Sequence, residues 1–423
     1  MDRDDSTNST NAADLNTYSN DDLESFITAA NSSSTSPAVG VSPRGGDGSA
    51  QKPRTTTSGS YTSGPTLTAT TSTSSGTPVA EAAMAMAEAL SLREKEAMMA
   101  AVEEVVTPKR PSTPEYSSKI LVIGCHGTVG RHVTEMLLDA EVAIRITTRC
   151  ASEELCTDAE IAKWRARGAE VVYGFDLDKS DSISRALVGV QRLYFSTTYT
   201  PNMLQQGLGL LERARDAGVE YVVRLSSAEA EADETQYGRW HRLLERRIEH
   251  MSFKYTLLRP NLMFQSLLRL CPELPTTRRL VLPISSSQRI SWVDARDVAA
   301  VAVAALGGAG HEGDIYHLTG CESLTLPDMV GVINTHLAAS AAAGDAKREP
   351  IEFATEDESD FVARLEAQLG WDRSVAEALS ETLQDYAHSD ACVEISNDLE
   401  LVVDRPPIRF AQFVRDSLGP LLL

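Results

Sequence analysis

From Ser118 onward, short continuous apolar runs alternate with segments whose apolar residues recur at helical spacing. The run Lys119 to Ile123 ends at a glycine, and the amphipathic stretch Arg131 to Asp139 follows it. A second run, Glu141 to Thr148, completes a β-α-β unit. Later runs with the length and composition of strands are Glu170 to Tyr173, Arg192 to Ser196, Tyr221 to Leu225 and Tyr255 to Leu258. The alternation predicts an α/β fold with a doubly wound parallel sheet and a ligand site at the carboxyl ends of its strands.

Residues 1–115 lack this periodicity. Between Gln51 and Pro78, 16 of 28 residues are Ser or Thr, which leaves too few apolar side chains to offset the entropy of ordering. We therefore expect a disordered tail over residues 1–115 and a folded domain over 116–423. Within the tail, residues 79–106 are rich in Ala, Glu and Met and predict a helix that ends before Pro108. That helix is either a solvated linker or a docking segment for a protein partner.

The charge balance narrows the classes of partner. The chain has 39 Lys and Arg against 60 Asp and Glu, a formal net charge of −21, which argues against direct binding of nucleic acid through its phosphates. The longest apolar stretch, Val298 to Leu306, is too short to span a bilayer, and the acidic N-terminus does not resemble a signal peptide. The six cysteines form no C-x-x-C pair and fit a reducing compartment. We expect a cytoplasmic protein that does not bind membranes, with a nuclear location left open.

A glycine turn joins the first predicted strand to the first helix. Gly124, Gly127 and Gly130 have the spacing G-x-x-G-x-x-G, which between a strand and a helix is typical of dinucleotide binding. The first glycine allows the tight turn, the second lets the backbone approach a pyrophosphate, and the third lets the helix pack closely. An ordinary flexible loop is the alternative. The other turn residues expected to contact the cofactor are His126, Thr128 and Val129. No metal is expected beside the histidine.

The end of the second strand distinguishes between nicotinamide cofactors. An acidic residue there would bond the ribose 2′-hydroxyl, whereas this chain has Thr147, Thr148 and Arg149. A guanidinium can hold a 2′-phosphate through two hydrogen bonds, so Arg149 favours NADP(H) over NAD(H). The alternative for Arg149 is a solvated charge at a strand end. Asp176, beyond the third strand, is expected either to accept the adenine amino group or to cap the helix that begins near Asp181.

Many segments resemble, in order, the NmrA-like branch of the short-chain dehydrogenases, which includes NAD(P)H-binding reductases and non-catalytic nitrogen regulators. The matching residues are 123–130, 174–177, 189–192, 218–227, 240–242, 245, 255–261, 294–299, 316–320, 404–407 and 410–415. The resemblance implies a Rossmann fold with a small substrate lobe, formed mainly by residues 264–290 and 319–423. It also implies cofactor contacts by residues that follow the fourth, fifth and sixth strands, namely Ser196, Thr197, Ser226, Ser227, Pro260 and Asn261.

The residues available for proton transfer depart from the usual short-chain pattern. The chain contains no Y-x-x-x-K pair, in which the lysine lowers the pKa of the tyrosine. Near the expected place are Tyr237 and His241, which share one helix face if the helix starts early enough. His241 is expected to contact the nicotinamide, to donate a proton or to pack in the core. Tyr237 is expected to line the pocket or to act in catalysis. Farther along the chain, Asp297 is expected to cap the helix that follows it and to pin the loop.

Two functional hypotheses follow from this departure. Hydride transfer needs only a positioned nicotinamide and an acceptor, and quinones can take the final proton from water, so the missing pair does not exclude a reductase. We therefore expect an NADPH-dependent oxidoreductase that transfers hydride to a small hydrophobic electrophile such as a quinone. The alternative is a non-catalytic NAD(P)-sensing regulator that acts through a protein partner.

Overall fold

The computed structural model of the chain describes residues 118–422 except 198, 233, 343–348 and 387–391. The predicted disordered tail over residues 1–115 and its helix at 79–106 lie outside these residues. Over the residues described, no helix combines the length and the apolar character that crossing a membrane requires.

The strands fall into one large sheet and one small one. In chain order, the strands of the described residues are β1 (Ile120–Ile123), β2 (Ile144–Thr147), β3 (Glu170–Val172), β4 (Arg192–Phe195), β5 (Tyr221–Leu225), β6 (Lys254–Pro260), β7 (Arg279–Leu282), β8 (Asp314–Leu318) and β9 (Glu352–Thr355). Seven of them form a parallel sheet in the order β3-β2-β1-β4-β5-β6-β8, and β7 pairs in parallel with β9. The predicted doubly wound parallel sheet is confirmed. Its strand order reverses between β1 and β4, which is where sheets of this kind bind ligands.

Helices connect successive strands of the large sheet and form most of the later chain. They are α1 (Gly130–Asp139), α2 (Ala159–Ala166), α3 (Ser180–Leu187), α4 (Met203–Asp216), α5 (Gln236–His250), α6 (Ser266–Leu270), α7 (Leu274–Thr277), α8 (Ala295–Gly307), α9 (Leu326–Ala342), α10 (Glu358–Leu369), α11 (Arg373–Asp385), α12 (Asp398–Val403), α13 (Phe410–Phe413) and α14 (Gly419–Leu422). A short 3₁₀ turn covers Ala228–Ala230, and a π-helical turn covers Val414–Leu418.

The large sheet is buried because its central strands are apolar on both faces. All four residues of β1 are buried, as a strand covered by helices on either side requires. Helix α1 places Val133 and Leu137 in the core, and α8 packs beside it with a nearly continuous run of Ala and Val. Each fully buried side chain of this size contributes about 1.5 to 3 kcal/mol by leaving water.

A second hydrophobic cluster lies among the segments expected to form the substrate lobe. It contains the β7–β9 pair together with large buried side chains such as Phe264, Trp292, Phe361 and Phe413. Three of the phenylalanine rings of this cluster, those of Phe264, Phe410 and Phe413, lie tilted against one another with centroids within 6 Å. The later chain therefore has a core of its own, and the assignment of this core to substrate binding stays a prediction.

The last part of the chain returns to the large sheet. Helix α12 packs against α8 and β8, and its first residue, Asp398, accepts the backbone N–H of His317 at 2.8 Å. This amide belongs to β8, the outer strand on that side of the sheet. The carboxylate thus satisfies one amide of an edge strand with a side chain instead of another strand.

The expectation that Asp297 caps helix α8 is wrong. The cap is Asp294, whose carboxylate accepts the Arg296 amide at 2.8 Å, while Asp297 lies inside the first turn and is fully buried. Its carboxylate instead holds the chain segment before α13, through Arg405 at 2.6 Å and the Ile408 amide at 2.7 Å. The two aspartates are three positions apart, so composition alone could not separate the roles of capping and pinning.

Candidate functional site

The glycine turn packs backbone against backbone where β1 meets α1. Gly124 has a φ of +89°, a conformation that residues with side chains rarely adopt. A Cβ atom on Gly130 would lie 2.0 Å from the Gly124 carbonyl oxygen, and the Gly127 amide donates to that same oxygen at 2.8 Å. Among the described residues, the amides of Thr128 and Val129 meet no protein acceptor, and they stand at the N-terminus of α1. Such a helix end favours an anion, as the predicted pyrophosphate site requires.

His126, in the same turn, is exposed and lies beside two carboxylates that sequence reasoning did not foresee. Its ring nitrogens are 3.6 Å from Asp158 Oδ2 and 3.8 Å from Glu160 Oε2. Both acids already have partners, since Asp158 caps α2 by accepting the Glu160 amide and Glu160 pairs with Arg131 at 2.7 Å. The turn therefore borders a charged surface network that joins it to the start of α2.

Arg149 and Asp176 follow the ends of the neighbouring strands β2 and β3. Arg149 is exposed, and no ion pair within the described residues engages its guanidinium. Lys179, 2.9 Å from the Asp176 carboxylate, together with the Asp178 amide and the more distant Arg149, holds the pKa of Asp176 below its usual value. Helix α3 begins at Ser180 with no side-chain cap, so Asp176 shapes the turn before α3 and does not cap it. Its adenine contact stays a prediction, as does the phosphate contact of Arg149.

The segment after β4 meets a buried arginine. Ser196 Oγ fills the space beside Gly124 and would lie 2.3 Å from a Cβ atom there. Thr197 Oγ1 accepts a hydrogen bond of 3.4 Å from Arg224, which is fully buried on β5 and also donates to the Leu225 carbonyl at 2.6 Å. Burial lowers the pKa of Arg224 to about 10, which still leaves the guanidinium charged at neutral pH. The carboxyl ends of β4 and β5 are thus held together by a buried cation.

Glu245 on α5 collects a second set of buried charges. Its carboxylate binds Arg259 of β6 at 3.1 and 2.8 Å, Arg242 at 3.1 Å and the Ser226 hydroxyl at 2.6 Å. Burial alone would raise the pKa of Glu245, but these contacts outweigh it and hold the pKa below its usual value. Ser226 has one hydroxyl proton, and it is committed to Glu245. The hydroxyl can therefore meet the predicted nicotinamide only as an acceptor.

His241 lies between these two groups of charges. Its Nδ1 atom is 3.3 Å from the Arg224 guanidinium and 3.4 Å from Ser226 Oγ. A guanidinium can only donate, so Nδ1 is the acceptor and the ring proton resides on Nε2. Burial, with help from the charge on Arg224, lowers the pKa of His241 well below its usual value. The ring is therefore neutral. Its Nε2 atom is buried and has no hydrogen-bond partner among the described residues.

Tyr237 shares one face of α5 with His241, as predicted. Thr235 caps the helix by accepting the Gly238 amide at 3.0 Å, so the helix starts early enough to include Tyr237. The Tyr237 ring meets the His241 ring edge-on at 4.6 Å between centroids, and Tyr199 follows at 4.8 Å. The structure brings the two candidate catalytic residues together.

The ring contacts continue into the later chain. Trp371, in the loop after α10, stacks against Tyr199 at 6.3 Å between centroids. The Arg269 guanidinium lies over both of these rings, at 4.6 Å from Tyr199 and 4.9 Å from Trp371. We call Tyr199, Tyr237 and Trp371 the aromatic surface. It leads from His241 toward the second hydrophobic cluster.

Ser227, after β5, is bound to a buried acid two residues further on. Its hydroxyl donates to Glu229, and burial raises the pKa of that carboxyl to about 7 despite this hydrogen bond. Glu229 is held close to α5, because a Cβ atom on Gly238 would lie 2.6 Å from its carbonyl oxygen. Glu229 is thus a titratable group of near-neutral pKa next to a residue predicted to contact the nicotinamide.

Pro260 and Asn261 end β6 in a buried connection to the later chain. The Asn261 side-chain amide donates to Ser291 Oγ and to the Cys392 carbonyl, both at 3.0 Å, while its Oδ1 accepts the Leu262 amide at 2.8 Å. Each polar group of the asparagine side chain therefore has a protein partner. Direct contact of Pro260 and Asn261 with a cofactor stays a prediction.

Sequence reasoning missed Arg224, Glu229 and Trp371 as site residues. Arg224 carried a usable signal, since a cation in the middle of an otherwise apolar strand must be paired or functional when it is buried. Glu229 lies in an acidic segment with nothing to single it out, and Trp371 lies far from every motif.

Comparison with known proteins identifies the family to which the chain belongs. Residues 116–341 match the NmrA-like family. The chain belongs to the NmrA-like family. This confirms the resemblance inferred from the ordered segments. The matched range includes the glycine turn, the buried polar groups of α5 and the whole of the large sheet.

Individual NmrA-like relatives include enzymes and a regulator. The chain is 29% identical over 297 residues to an NAD(P)H azoreductase of Xenophilus azovorans, covering 70% of this chain and 96% of that protein. Its fold is similar to that of the NADPH-dependent quinone oxidoreductase of Escherichia coli complexed with NADPH, with a TM-score of 0.57 and 22% identity over 71% of this chain and 99% of that one. The negative transcriptional regulator NmrA in complex with NAD gives a TM-score of 0.57 at 11% identity, over 72% and 97%. NADP(H), the expected cofactor, is among the cofactors named for the two reductases, and its preference over NAD(H) stays a prediction.

Proposed function

We propose that this chain is an NADPH-dependent reductase that transfers hydride to a small, flat, hydrophobic electrophile such as a quinone. The observation that carries the proposal is the buried Nε2–H of His241, a fixed donor that meets no acceptor among the described residues and lies at the end of the aromatic surface. The names of two relatives, an NAD(P)H azoreductase and an NADPH-dependent quinone oxidoreductase, support the reaction class.

The residues of the glycine turn fit a dinucleotide. A side chain at Gly130 is excluded by the Gly124 carbonyl, and one at Gly124 is excluded by Ser196 Oγ and by the positive φ. The amides of Thr128 and Val129, which meet no acceptor among the described residues, can receive the pyrophosphate. Arg149, at the end of β2, has no ion pair within the described part of the chain and can hold a 2′-phosphate there. NADPH, when bound, supplies the hydride. The protein's part is to position the two reactants and to keep water away from them.

His241 is proposed to act as a neutral hydrogen-bond donor. Its lowered pKa argues against the alternative in which an imidazolium gives up a proton, because the ring is already uncharged at neutral pH. A neutral imidazole N–H can still polarise an acceptor oxygen or hold the cofactor amide in place. Arg224 fixes the tautomer from the other side of the ring and so is a positioning residue.

The aromatic surface supports a flat, apolar substrate. Aromatic rings bind planar molecules by offset stacking and by excluding water, and Tyr199, Tyr237 and Trp371 form consecutive ring contacts that begin at His241. Tyr237 is proposed to be a wall of the pocket, because its buried ring packs edge-on against His241.

The test is to incubate the full-length chain with NADPH and a panel of quinones, enals and imines, and to follow loss of NADPH absorbance. We expect turnover with at least one flat acceptor. His241→Phe should lower kcat roughly 10- to 100-fold, because an aromatic ring remains while the Nε2–H donor and the Nδ1 acceptor of Arg224 are both lost. His250→Phe, at the exposed end of the same helix, should leave kcat unchanged. A Gly127→Asp substitution should abolish turnover by removing cofactor binding.

The alternative hypothesis, a non-catalytic regulator, predicts the opposite result. Stoichiometric NADPH binding with no turnover of any acceptor, together with a protein partner whose binding depends on the cofactor, would overturn the reductase. A wild-type kcat in His241→Phe would leave the reaction class intact but remove the proposed role of the histidine.

A further inference from the structure

We propose that Cys150 and Cys156 form a reversible intramolecular disulfide, which makes the loop between β2 and α2 a site of thiol oxidation. The Cys156 thiol donates a hydrogen bond to the Cys150 sulfur, with the two Sγ atoms 2.7 Å apart. All six cysteines are free thiols in this structure. The other four are far from this loop in the fold or buried in the core, so the two sulfurs are natural partners for each other.

The loop holds both cysteines in place. The Cys150 carbonyl accepts the Gly174 amide at 2.7 Å, and the Cys150 amide donates to Thr148 Oγ1 at 3.3 Å. Cys156 is fixed on its own side by the bond from its amide to the Glu153 carbonyl at 3.2 Å, and its side chain packs against the main core. Because both ends of the loop are anchored, the short distance between the sulfurs belongs to the folded loop and bridging requires little backbone movement.

The two thiols differ in reactivity. The hydrogen bond from Cys156, with a second from Thr148, lowers the pKa of Cys150, while the same contact raises the pKa of Cys156. Both side chains are partly exposed, so an oxidant can reach them. A partly exposed thiol of lowered pKa beside a second thiol is the arrangement found at cysteines that are oxidised reversibly.

Hydrogen peroxide is the oxidant in the proposed reaction. The Cys150 thiolate attacks one peroxide oxygen, the O–O bond breaks, and the departing hydroxide takes up the proton that Cys150 had released. The Cys156 sulfur then attacks the resulting sulfenic sulfur, the S–S bond forms and the S–O bond breaks. The hydroxide that leaves takes the Cys156 proton. Two thiols are oxidised to one disulfide while peroxide is reduced to two water molecules.

The site adjoins Arg149, the residue directly before Cys150. Oxidation would therefore fix the segment immediately after the guanidinium that is proposed to hold the 2′-phosphate. The disulfide itself does not depend on the proposed function, because it needs only the two thiols and an oxidant.

The experiment uses the full-length chain, first reduced with dithiothreitol and freed of reductant, then treated with hydrogen peroxide. Non-reducing peptide mapping with a protease that cleaves after Glu153 or Glu154 should find a linked pair of peptides containing Cys150 and Cys156, two hydrogen atoms lighter than the separate peptides, in most molecules. Dithiothreitol should restore both thiols. In Cys156→Ser the bridge should be absent, and Cys150 should be trapped as a sulfenic acid by dimedone.

Two controls test whether the bridge is specific to this pair of cysteines. Cys321→Ser, a partly buried cysteine elsewhere in the fold, should form the bridge as the parent does, and circular dichroism should show that all variants are folded. The proposal fails if Cys150 and Cys156 stay alkylatable after peroxide at the rate of Cys321. It also fails if either thiol is found linked to a different cysteine.

Discussion

The glycine turn and the buried polar cluster around His241 are built in opposite ways. The turn takes its geometry from seven consecutive residues and from side chains that are missing, as the contact of the Gly130 position with the Gly124 carbonyl shows. The cluster takes its geometry from charged side chains on three elements, with Arg224 on β5, Glu245 on α5 and Arg259 on β6. The turn is local, and the cluster exists only in the folded chain.

This difference has energetic consequences. Glycines in a turn contribute by allowing the backbone to come close, so a substitution there should act mainly on the cofactor and on local strain. Buried charges are each costly to remove from water and are tolerated only as a set, so the loss of one should act on the whole fold. The following four experiments test that contrast.

The largest effect is expected at the centre of the cluster. Glu245→Ala leaves the buried Arg259 with only the exposed Glu231, at 3.5 Å, as a carboxylate partner and should lower the free energy of unfolding by about 3 to 5 kcal/mol. Urea denaturation followed by circular dichroism measures it. The matched control is Glu249→Ala, which removes a more exposed partner of Arg242 on the same helix and should cost under about 1 kcal/mol. Equal losses of unfolding free energy in the two variants would show that the burial of Glu245 does not determine the size of the effect.

A pH-dependent effect is expected beside the cluster. Glu229 has a folded pKa of about 7 against an ordinary value of 4.5, so the folded state holds its proton more tightly than the unfolded state. Stability from this group is fully present below pH 4.5 and is lost as pH rises through 7, on the order of 3 kcal/mol in all. Glu229→Gln should therefore be more stable than the parent at pH 8 and show a flatter profile between pH 5 and 8.

The control for the pH profile is Glu234→Gln, an exposed acid in the same segment, which should keep the parent's dependence. Thermal unfolding at a series of pH values provides the comparison. A Glu229→Gln profile as steep as the parent's would mean that other groups set it.

The third experiment tests a local feature, the arginine that follows β2. Arg149→Ala should reduce the preference for NADPH over NADH by roughly 1.5 to 3 kcal/mol, because the 2′-phosphate loses a charged donor, while leaving thermal stability unchanged. Fluorescence titration of both variants with both cofactors measures the preference. Arg131→Ala is the control, since Arg131 is already paired with Glu160. Equal affinities of the parent protein for NADPH and NADH would contradict the proposed role of Arg149.

The smallest effect is expected at the turn itself. Gly130→Ala places a Cβ atom 2.0 Å from the Gly124 oxygen and should destabilise the fold by about 1 to 3 kcal/mol while weakening NADPH binding. Gly209→Ala is the matched substitution in α4, where a Cβ atom meets nothing within 4 Å, and it should stabilise the fold by about 0.5 to 1 kcal/mol. Changes of the same sign in both variants would contradict the close-packing argument.

The same contrast explains what could be predicted from the sequence. The strands of the large sheet up to β6 and the turn were predicted to within three residues, because apolar runs and glycine spacing are local signals. The cap at Asp294 was assigned wrongly to Asp297. The bonds of Asn261 to Cys392 could not be foreseen, since they join residues 131 positions apart. Contacts of this kind depend on how the elements pack, which periodicity does not encode.

The anchoring of α12 on β8 has a consequence for the behaviour of the molecule at high concentration. An outer strand with free amide and carbonyl groups is a template for pairing with the same strand of another copy, and proteins that leave such edges open are prone to aggregate. Here Asp398 occupies the outward His317 amide, and the acidic helix behind it repels a second acidic chain. A short segment late in the chain thus protects the β8 edge of a sheet whose other six strands all precede residue 261.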